Sequence, residues 1–303
     1  MNSKYRSYIN NLTCKKIVCG TYRCHRQYFP KSLPFLEKEI EWHVPLKMFK
    51  QGLLVVGDPS RKTRRQFTNN YVKSLITNDV KVIYITDQNL RGYQGHLEPL
   101  RGLFDVKDGL CKKDVEFCSL TADCNSKLFE SDVRLQIFQP EWEVATKGVV
   151  DTHYNSSLIC LLNAIAEADL SSFSLGTRTQ EVVVVLNEGY CVDKSNSGEL
   201  EKAICWLRGK GVGVVISCNN SSRFKGVLGS FGHYIFTGLL DPSEEIELHD
   251  FFHVESVTDD NSLHSPRVNV RDLMSHRGNE CHHIVRGVNG EDCFLCVANF
   301  KSE

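Results

Sequence analysis

The chain has no long apolar run, no apolar leader and almost no net charge. No apolar run reaches the roughly 18 residues that a membrane-spanning helix requires. The first residues also lack the apolar core of a signal peptide. Lysine and arginine number 36 and aspartate and glutamate number 37, so no overall charge indicates a nucleic-acid partner. These absences argue against a membrane-spanning protein, and we expect a cytoplasmic one.

Acidic residues are missing from the beginning of the chain. None precedes Glu37, whereas basic residues are frequent there. The basic residues are Lys4, Arg6, Lys15, Lys16, Arg23, Arg26 and Lys31. Such an arm could contact phosphates or an acidic membrane surface, and a solvated terminus is the alternative. Because Pro30 and Pro34 interrupt it, we expect residues 1–45 to form a basic irregular segment and residues 46–303 to form the folded domain.

Cysteine is scattered along the chain in an odd number, 13, which indicates reduced thiols rather than a disulfide framework. Two groups contain enough cysteine and histidine to suggest zinc. They are Cys14, Cys19, Cys24 and His25, and Cys281, His282, His283, Cys293 and Cys296. The first group is spaced more widely than the C-x₂-C pairs of zinc knuckles. In the second, Cys293 and Cys296 would point to opposite faces of a strand. We therefore expect zinc at neither group, and core thiols at the second.

Apolar strands alternate with amphipathic helices along the middle of the chain. The predicted strands are Leu53–Val56, Lys81–Thr86, Arg134–Phe138, Glu181–Leu186, Gly213–Ser217 and His233–Thr237. The predicted helices are Thr63–Thr77, Ser156–Asp169 and Glu199–Arg208. This alternation predicts an α/β fold with a mostly parallel central sheet flanked by helices on both faces. Asn289-Gly290 lies between apolar runs and predicts a C-terminal β-hairpin.

The turn after the first of these strands resembles a phosphate-binding loop. Its residues are Gly57, Asp58, Pro59, Ser60, Arg61, Lys62 and Thr63. Lys62 and Thr63 open the following helix, where such a loop places its phosphate-binding lysine and its magnesium-ligating hydroxyl. The loop is one residue short of G-x-x-x-x-G-K-[ST], and Arg61 occupies the position of the last glycine. Pro59 removes one amide donor. The alternative is an ordinary strand-to-helix turn followed by a basic first helical turn.

A second motif ends the most apolar strand. The sequence EVVVVLNEG places Asn187-Glu188 where a Walker B element has Asp-Glu. Asparagine keeps the shape of aspartate but loses the charge that attracts magnesium, whereas Glu188 could still act on the attacking water. A strand with a polar cap is the alternative. Both motifs lie at carboxyl ends of strands, which is where ligands bind in such sheets.

Five segments of the chain together resemble a known family. The matching segments are GLLVVGDPSRKT, KVIYITD, EVVVVLNEG, LEKAICWLRGKGVGVVISCNN and HYIFTGLLDP. In this order they resemble the FtsK/HerA superfamily of RecA-like P-loop ATPases, and most of all the VirB4-like and VirD4-like ATPases of conjugation and type IV secretion. The resemblance spans roughly residues 45–300 and implies a RecA-like domain over residues 46–303.

The resemblance also implies roles for individual residues. Gly57 to Thr63 would bind the phosphates of ATP, Thr63 and Asn187 would lie at Mg²⁺, and Glu188 would orient water. Asn219 takes the position of the family's polar sensor, and Arg208 or Lys210 would face the phosphates of a neighbouring subunit. The resemblance also implies partners. The chain would assemble with other subunits into a homo- or hetero-oligomer such as a hexamer, it would contact DNA or secretion-machine proteins, and it would associate peripherally with a membrane.

Whether the chain hydrolyses ATP is left open by its two altered motifs. Losing one transition-state contact commonly costs about 10²–10³ in rate, so we expect weak or no hydrolysis. Two interpretations follow: a diverged ATPase-family subunit of a translocation or secretion machine, and a catalytically inactive pseudo-ATPase scaffold that acts through protein contacts. A third is a nucleic-acid-binding protein that uses the basic arm and a zinc site.

Overall fold

The structure is a computed structural model, and it describes about half of the chain. The described residues are 16–22, 40–57, 62–86, 115–120, 133–139, 152–168, 174–175, 178–179, 181–188, 197–237, 281–285 and 293–300.

Thirteen strands are described, and eleven of them form one sheet. They are β1 (Lys16–Tyr22), β2 (Ile40–Pro45), β3 (Leu53–Val56), β4 (Lys81–Thr86), β5 (Val115–Ser119), β6 (Leu135–Gln139), β7 (Ser174–Leu175), β8 (Arg178–Thr179), β9 (Val182–Glu188), β10 (Gly213–Cys218), β11 (His233–Phe236), β12 (Cys281–Val285) and β13 (Cys293–Phe300). The order in the large sheet is β2-β1-β13-β12-β11-β3-β10-β9-β4-β6-β5. The short strands β7 and β8 pair only with each other.

The large sheet divides into a parallel and an antiparallel part. The seven strands from β11 to β5 in this order run parallel to their neighbours. The remaining four, β12, β13, β1 and β2, pair antiparallel. The predicted α/β fold with a mostly parallel sheet is therefore confirmed. The strands β12 and β13 confirm the predicted C-terminal hairpin, although its Asn289-Gly290 turn lies outside the described residues.

Helices cover both faces of the sheet. The described α-helices are α1 (Lys62–Thr77), α2 (Thr152–Glu167) and α3 (Ser197–Gly209), and the 3₁₀ helices are Leu46–Gln51 and Ser221–Ser230. On one face α1 buries apolar side chains against Leu53, Val55, Val185 and Val215. On the other face α2, α3 and the second 3₁₀ helix pack against the alternate residues of the same strands. The central parallel strands β3, β4, β9 and β10 are thus buried on both faces, which explains their apolar sequences.

Strand order differs from chain order in the centre of the sheet. The predicted unit of β3, α1 and β4 is present, but β10 and β9 lie between its two strands. The helix α1 ends at Thr77, and Asp79 adopts a φ of 61°, which turns the chain back into β4. Apolar residues at helical spacing, Phe67, Tyr71, Leu75 and Ile76, all lie on the buried face of α1, as the sequence predicted.

The expectation of irregular structure before residue 46 is wrong where the structure describes that segment. The strands β1 and β2 pair with each other, and β1 pairs with β13 near the other end of the chain. Each strand is short, and β1 needs a partner that is distant in sequence. A local pattern dominated by prolines and basic residues therefore did not reveal them. The division of the chain into residues 1–45 and 46–303 stays a prediction.

Candidate functional site

The carboxyl ends of β3, β10 and β9 bring the two sequence motifs to one edge of the sheet. Val56 at the end of β3 is in register with Cys218, and Cys218 is in register with Glu188 at the end of β9. The amide of Gly57 donates to the carbonyl of Cys218 at 3.1 Å, which extends this pairing by one residue. The phosphate-loop turn and Asn187-Glu188 therefore leave the sheet at the same level, with β10 between them.

Asn219 follows β10 directly, between the two motifs. It is half-buried, and it comes one residue after the Cys218 that is in register with both neighbouring strands. A polar side chain at this point lies between the ends of β3 and β9, so it can reach a ligand that is bound at either strand end. This is the position that the resemblance gives to the sensor, and the role of Asn219 stays a prediction.

Gly57 is packed so closely that a side chain cannot be added without movement. A β-carbon there would lie 2.1 Å from Oγ1 of Thr237 and 3.3 Å from its carbonyl carbon. Thr237 is fixed in turn, because its amide donates to the carbonyl of Val56 at 2.8 Å. Glycine at the first position of the turn is thus required by the neighbouring end of β11, whether or not a phosphate binds.

The helix α1 begins at Lys62, the residue that the sequence placed at the helix start. Thr63 is 3% exposed and lies within the first turn. The other predicted residues of the phosphate loop are less completely described. Asp58, Pro59, Ser60 and Arg61 lie outside the described residues, and so does the side chain of Lys62. The side chain of Glu188, the predicted catalytic residue, also lies outside them. Their roles stay predictions. The described backbone shows a strand end and a helix start, with residues 58–61 between them, at the carboxyl end of the strands where ligands bind in such sheets.

A buried arginine lies next to this helix start. Arg64 is fully buried, and its Nη1 donates to Oγ of Ser217 at 2.9 Å. The hydroxyl of Thr68 donates to the carbonyl of Arg64 at 3.0 Å, and the hydroxyl oxygens of Thr68 and Ser217 are 3.0 Å apart. We call Arg64, Thr68 and Ser217 the Arg64 network. It joins the first turn of α1 to the end of β10.

Sequence reasoning assigned Arg64 only to a basic first helical turn. One signal could have separated it from its neighbours. Arg64 precedes Phe67, Thr68 and Tyr71 by three, four and seven residues, so it lies on the apolar face of α1 that the same periodicity predicted to be buried.

Three polar residues line up across the strand ends beside the Arg64 network. Asn187 is in register with Thr86 on one side and with Ser217 on the other. Two residues earlier, Tyr84, Val185 and Val215 pack on the α1 face, so strand alternation directs this polar row toward α1 as well. Thr86 and Ser217 are fully buried and Asn187 is half-buried.

The described side chains of this row offer hydroxyl and amide oxygens but no carboxylate. Hard divalent cations prefer carboxylate and water oxygens. The row offers two hydroxyls and a neutral amide, the nearby Thr63 adds another hydroxyl, and Arg64 brings a positive charge to Ser217. Among the described residues, no group of three or more histidine, cysteine or acidic side chains could hold a metal ion. A phosphate-binding loop gives magnesium a serine or threonine hydroxyl, and Thr63 has one. The roles of Thr63 and Asn187 at Mg²⁺ stay predictions.

Arg208 lies at the opposite edge of the sheet. Its Nη1 donates to the carbonyl of Ser230, and its Nη2 to the carbonyl of Gln51 at 3.3 Å, directly before β3 begins. The structure therefore does not bring Arg208 to Gly57, Asn187 and Asn219 within one subunit. Lys210 is exposed just after α3. The expected contact of either residue with a neighbouring subunit's phosphates stays a prediction.

A buried histidine pair occupies the same opposite edge. Nδ1 of His233 is 3.1 Å from Nε2 of His283, and Nε2 of His233 is 2.9 Å from Oε1 of Gln51. Because the amide oxygen only accepts, Nε2 of His233 donates to it, and Nδ1 then accepts from His283. Burial lowers the pKa of His233 to about 4. Burial and then the nearby His233 hold the pKa of His283 well below its usual value, so both rings are neutral at pH 7.

The cysteine and histidine groups of the sequence are only partly described. Cys281 is a fully buried thiol in the core beneath α1, as expected of a core thiol. The side chains of His282, Cys293 and Cys296 lie outside the described residues, as do Cys14, Cys24 and His25 and the side chain of Cys19. Within the part of the chain that the structure describes, no helix is both long enough and apolar enough to cross a membrane.

Comparison with solved structures places this geometry among known folds. The genome packaging NTPase B204 of Sulfolobus turreted icosahedral virus 2, in complex with ATP-gammaS, superposes with a TM-score of 0.52 and 10% sequence identity, over 82% of this chain and 98% of that one. The DNA-packaging ATPase B204 of Sulfolobus turreted icosahedral virus superposes with a TM-score of 0.50 and 12% sequence identity, over 83% of this chain and 98% of that one. The fold is that of the RecA-like P-loop ATPases.

Other comparisons are weaker. The cytoplasmic domain of the type VII secretion ATPase EccC of Thermomonospora curvata gives a TM-score of 0.45 and 11% identity, over 96% of this chain and 27% of that one. No protein-family model matches the sequence, and no curated protein is significantly similar to it. At these identities the RecA-like P-loop likeness establishes the fold, and function has to be argued from the residues at the sheet edge.

Proposed function

We propose that this chain is a diverged ATPase-family subunit of the FtsK/HerA type, that it works in a machine moving DNA or protein, and that it binds ATP with weak or no hydrolysis. One observation carries the proposal. The turn between β3 and α1 and the Asn187-Glu188 end of β9 lie at one edge of the sheet, on either side of the strand that ends in Asn219. Three independent sequence motifs thus converge on one place.

The residues at this edge have distinct tasks in the proposal. The amides of the turn after Gly57 and the start of α1 hold the phosphates, since the amino end of a helix attracts anions. Lys62 neutralises phosphate charge, and Asn219 senses the terminal phosphate by hydrogen bonding. Glu188 orients the attacking water. Hydrolysis is weak because Asn187 lacks the carboxylate that most Walker B strands carry.

The nature of the machine is inferred from the neighbours and the resemblance together. Two structural neighbours with TM-scores of 0.50 and above are the genome packaging NTPase and the DNA-packaging ATPase B204 of Sulfolobus turreted icosahedral viruses. The sequence segments resemble conjugation and type IV secretion ATPases. Both kinds of protein move a polymer, and we propose an oligomeric, cytoplasmic assembly in which Arg208 or Lys210 meets a neighbouring subunit.

The proposal is tested by measuring ATP binding and ATP turnover for the wild-type chain, Lys62→Ala and Glu188→Gln. We expect Lys62→Ala to weaken ATP binding about tenfold or more, because a charge-assisted contact is lost. We expect Glu188→Gln to retain binding and to lose the slow turnover. Lys202→Ala, which removes an exposed lysine from α3, is the matched control and should behave as wild type. Equal binding and equal turnover in all four proteins would remove the ATPase assignment.

A pseudo-ATPase scaffold is the second candidate. The neutral polar row at Thr86, Asn187 and Ser217 favours it, because no carboxylate stands where the Walker B aspartate belongs. In this case the fold serves protein contacts, and nucleotide adds nothing. Turnover that depends on Glu188 would contradict the scaffold, whereas a complete lack of nucleotide binding in an otherwise folded chain would support it.

A further inference from the structure

The first residue of the phosphate turn is held between two strands. Val56, the last residue of β3, is in register with Cys218 on one side and with Phe236 on the other. One residue further on, the amide of Gly57 donates to the carbonyl of Cys218 at 3.1 Å. On the other side, the amide of Thr237 donates to the carbonyl of Val56 at 2.8 Å. The parallel pairing therefore continues past the strand ends, and Gly57 leaves the sheet between the ends of β10 and β11.

The Thr237 hydroxyl lies where a side chain of residue 57 would be. Two residues earlier, Val55 and Ile235 pack in the core beneath α1. Strand alternation therefore directs residue 57 and Thr237 to the same face. A β-carbon built on Gly57 would overlap with Oγ1 of Thr237 and would lie 3.2 Å from its Cβ. Thr237 is 1% exposed, and its hydroxyl donates to the carbonyl of Val56 at 3.4 Å. The buried hydroxyl oxygen therefore packs against the Cα of Gly57.

An oxygen at this place permits a closer approach than a methyl group does. Contacts between a Cα–H group and an oxygen are typically about 3.3–3.6 Å long, whereas carbon–carbon contacts are best at about 3.5–4.0 Å. A methyl group in place of Oγ1 would therefore push Gly57 away by about 0.2–0.4 Å. Residues 58–61 and the start of α1 at Lys62 follow directly in the chain, so this displacement would be passed on to them.

We infer that Thr237 is a positioning residue of the nucleotide site, and that its buried hydroxyl fixes where the phosphate turn leaves the sheet. The inference rests on the proposed function, in which the amides of this turn hold the phosphates of ATP. Hydrogen bonds from these amides depend on distance and angle, so one small displacement of the turn weakens several of them together. Thr237 acts through Gly57, and the role does not require contact with the nucleotide.

The test is calorimetric titration of the full chain with ATP for wild type, Thr237→Val and Thr237→Ser. Valine has the shape of threonine but replaces Oγ1 with a methyl group, so we expect ATP binding to weaken about tenfold. Serine keeps the oxygen, and we expect its dissociation constant to stay within about threefold of the wild-type value. Circular dichroism and thermal melting establish that each variant is folded.

Tyr234→Phe is the matched control, because it removes a buried hydroxyl from the same strand. That hydroxyl is hydrogen-bonded to the carbonyls of Leu228 and Phe231, and Tyr234 packs on the opposite face of the sheet from Thr237. We expect Tyr234→Phe to lower the melting temperature and to leave the affinity for ATP within about twofold of wild type. A loss of ATP affinity that is specific to Thr237→Val therefore reports on the turn and not on stability.

A double-mutant cycle keeps the inference testable if Thr237→Val does not fold. Gly57→Ala introduces the overlap with Oγ1, and Thr237→Ala removes that oxygen. We expect Gly57→Ala to weaken ATP binding about tenfold, and we expect the double variant to bind ATP at least about threefold more tightly than Gly57→Ala alone.

The outcomes separate this inference from the proposed function. Wild-type affinity in a folded Thr237→Val, or multiplicative effects in the cycle, would overturn the inference and leave the nucleotide site standing. The same holds if Thr237→Ser or Tyr234→Phe loses as much affinity as Thr237→Val. No ATP binding by the folded wild-type chain would overturn the proposed function and, with it, the inference.

Discussion

Acidification should destabilise this protein through its buried histidine pair. His233 is neutral in the fold because burial lowers its pKa to about 4, whereas the ordinary value of 6.5 applies when the chain is unfolded. Since the folded pKa is the lower one, the unfolded chain takes up the proton first as the pH falls. The contribution of His233 to stability is therefore complete above pH 6.5 and is lost progressively down to about pH 4.

The size of this effect follows from the same two values. One unit of pKa difference corresponds to about 1.4 kcal/mol, so the full contribution of His233 is roughly 3 kcal/mol. At about pH 5, linkage gives a loss of about 2 kcal/mol relative to about pH 7.5. His283, whose pKa is lowered further by burial and by His233, adds to the loss in the same direction.

Urea unfolding at both pH values measures the effect, with His233→Gln as the comparison. Glutamine keeps a polar group beside Gln51 but does not titrate, so this variant should lose about 2 kcal/mol less on acidification than wild type. The difference between the two proteins removes contributions from histidines and carboxylates that lie away from the pair. Because His233 helps to lower the pKa of His283, the His283 contribution also shrinks in the variant, which acts in the same direction. Equal losses in both proteins, or an NMR titration of His233 near its ordinary pKa, would refute the reasoning.

Two further predictions concern packing near the site and beneath it. Gly57→Ala should destabilise the fold by about 1–3 kcal/mol in urea unfolding, because its β-carbon would lie 2.1 Å from Thr237 Oγ1. Gly198→Ala is the control, because a β-carbon there meets no atom within 4 Å. Equal effects of the two substitutions would contradict the steric argument. Tyr71→Phe should cost about 1–3 kcal/mol, because the buried hydroxyl donates to the carbonyl of Leu46 and accepts from the amide of Phe49. A loss below about 0.5 kcal/mol would show that water replaces it.

The central sheet could be predicted from the sequence because its strands are apolar on both faces and its helices are periodic. The predicted bounds of β3 and β4 agree with the observed ones, the other predicted strand ends differ by at most two residues, and the start of α1 was placed within one residue of Lys62. Patterns of this kind are local, and burial on two faces leaves a strong local signal. The positions of Asn187 and Asn219 followed from the same strands.

Strand order and side-chain partners could not be predicted in the same way. Nothing local in β3 or β9 indicates that β10 lies between them, and nothing in β1 indicates β13 as its partner. Arg64 was assigned to the basic helix start because charge is usually solvated. Its burial depends on Ser217, which is distant in the chain. The histidine pair likewise joins two strands whose pairing the sequence did not fix.

The place of β10 has a consequence for how the chain reaches this fold. Both of its neighbours, β3 and β9, are synthesised earlier, and neither can pair with the other while β10 is missing. Until residue 218 has been synthesised, β9 is the open edge of the strands β9-β4-β6-β5, and β3 has no partner because β10 and β11 both come later. An open apolar edge is the kind of surface that aggregates. We therefore expect the central sheet to close only after β10 and β11 have been synthesised.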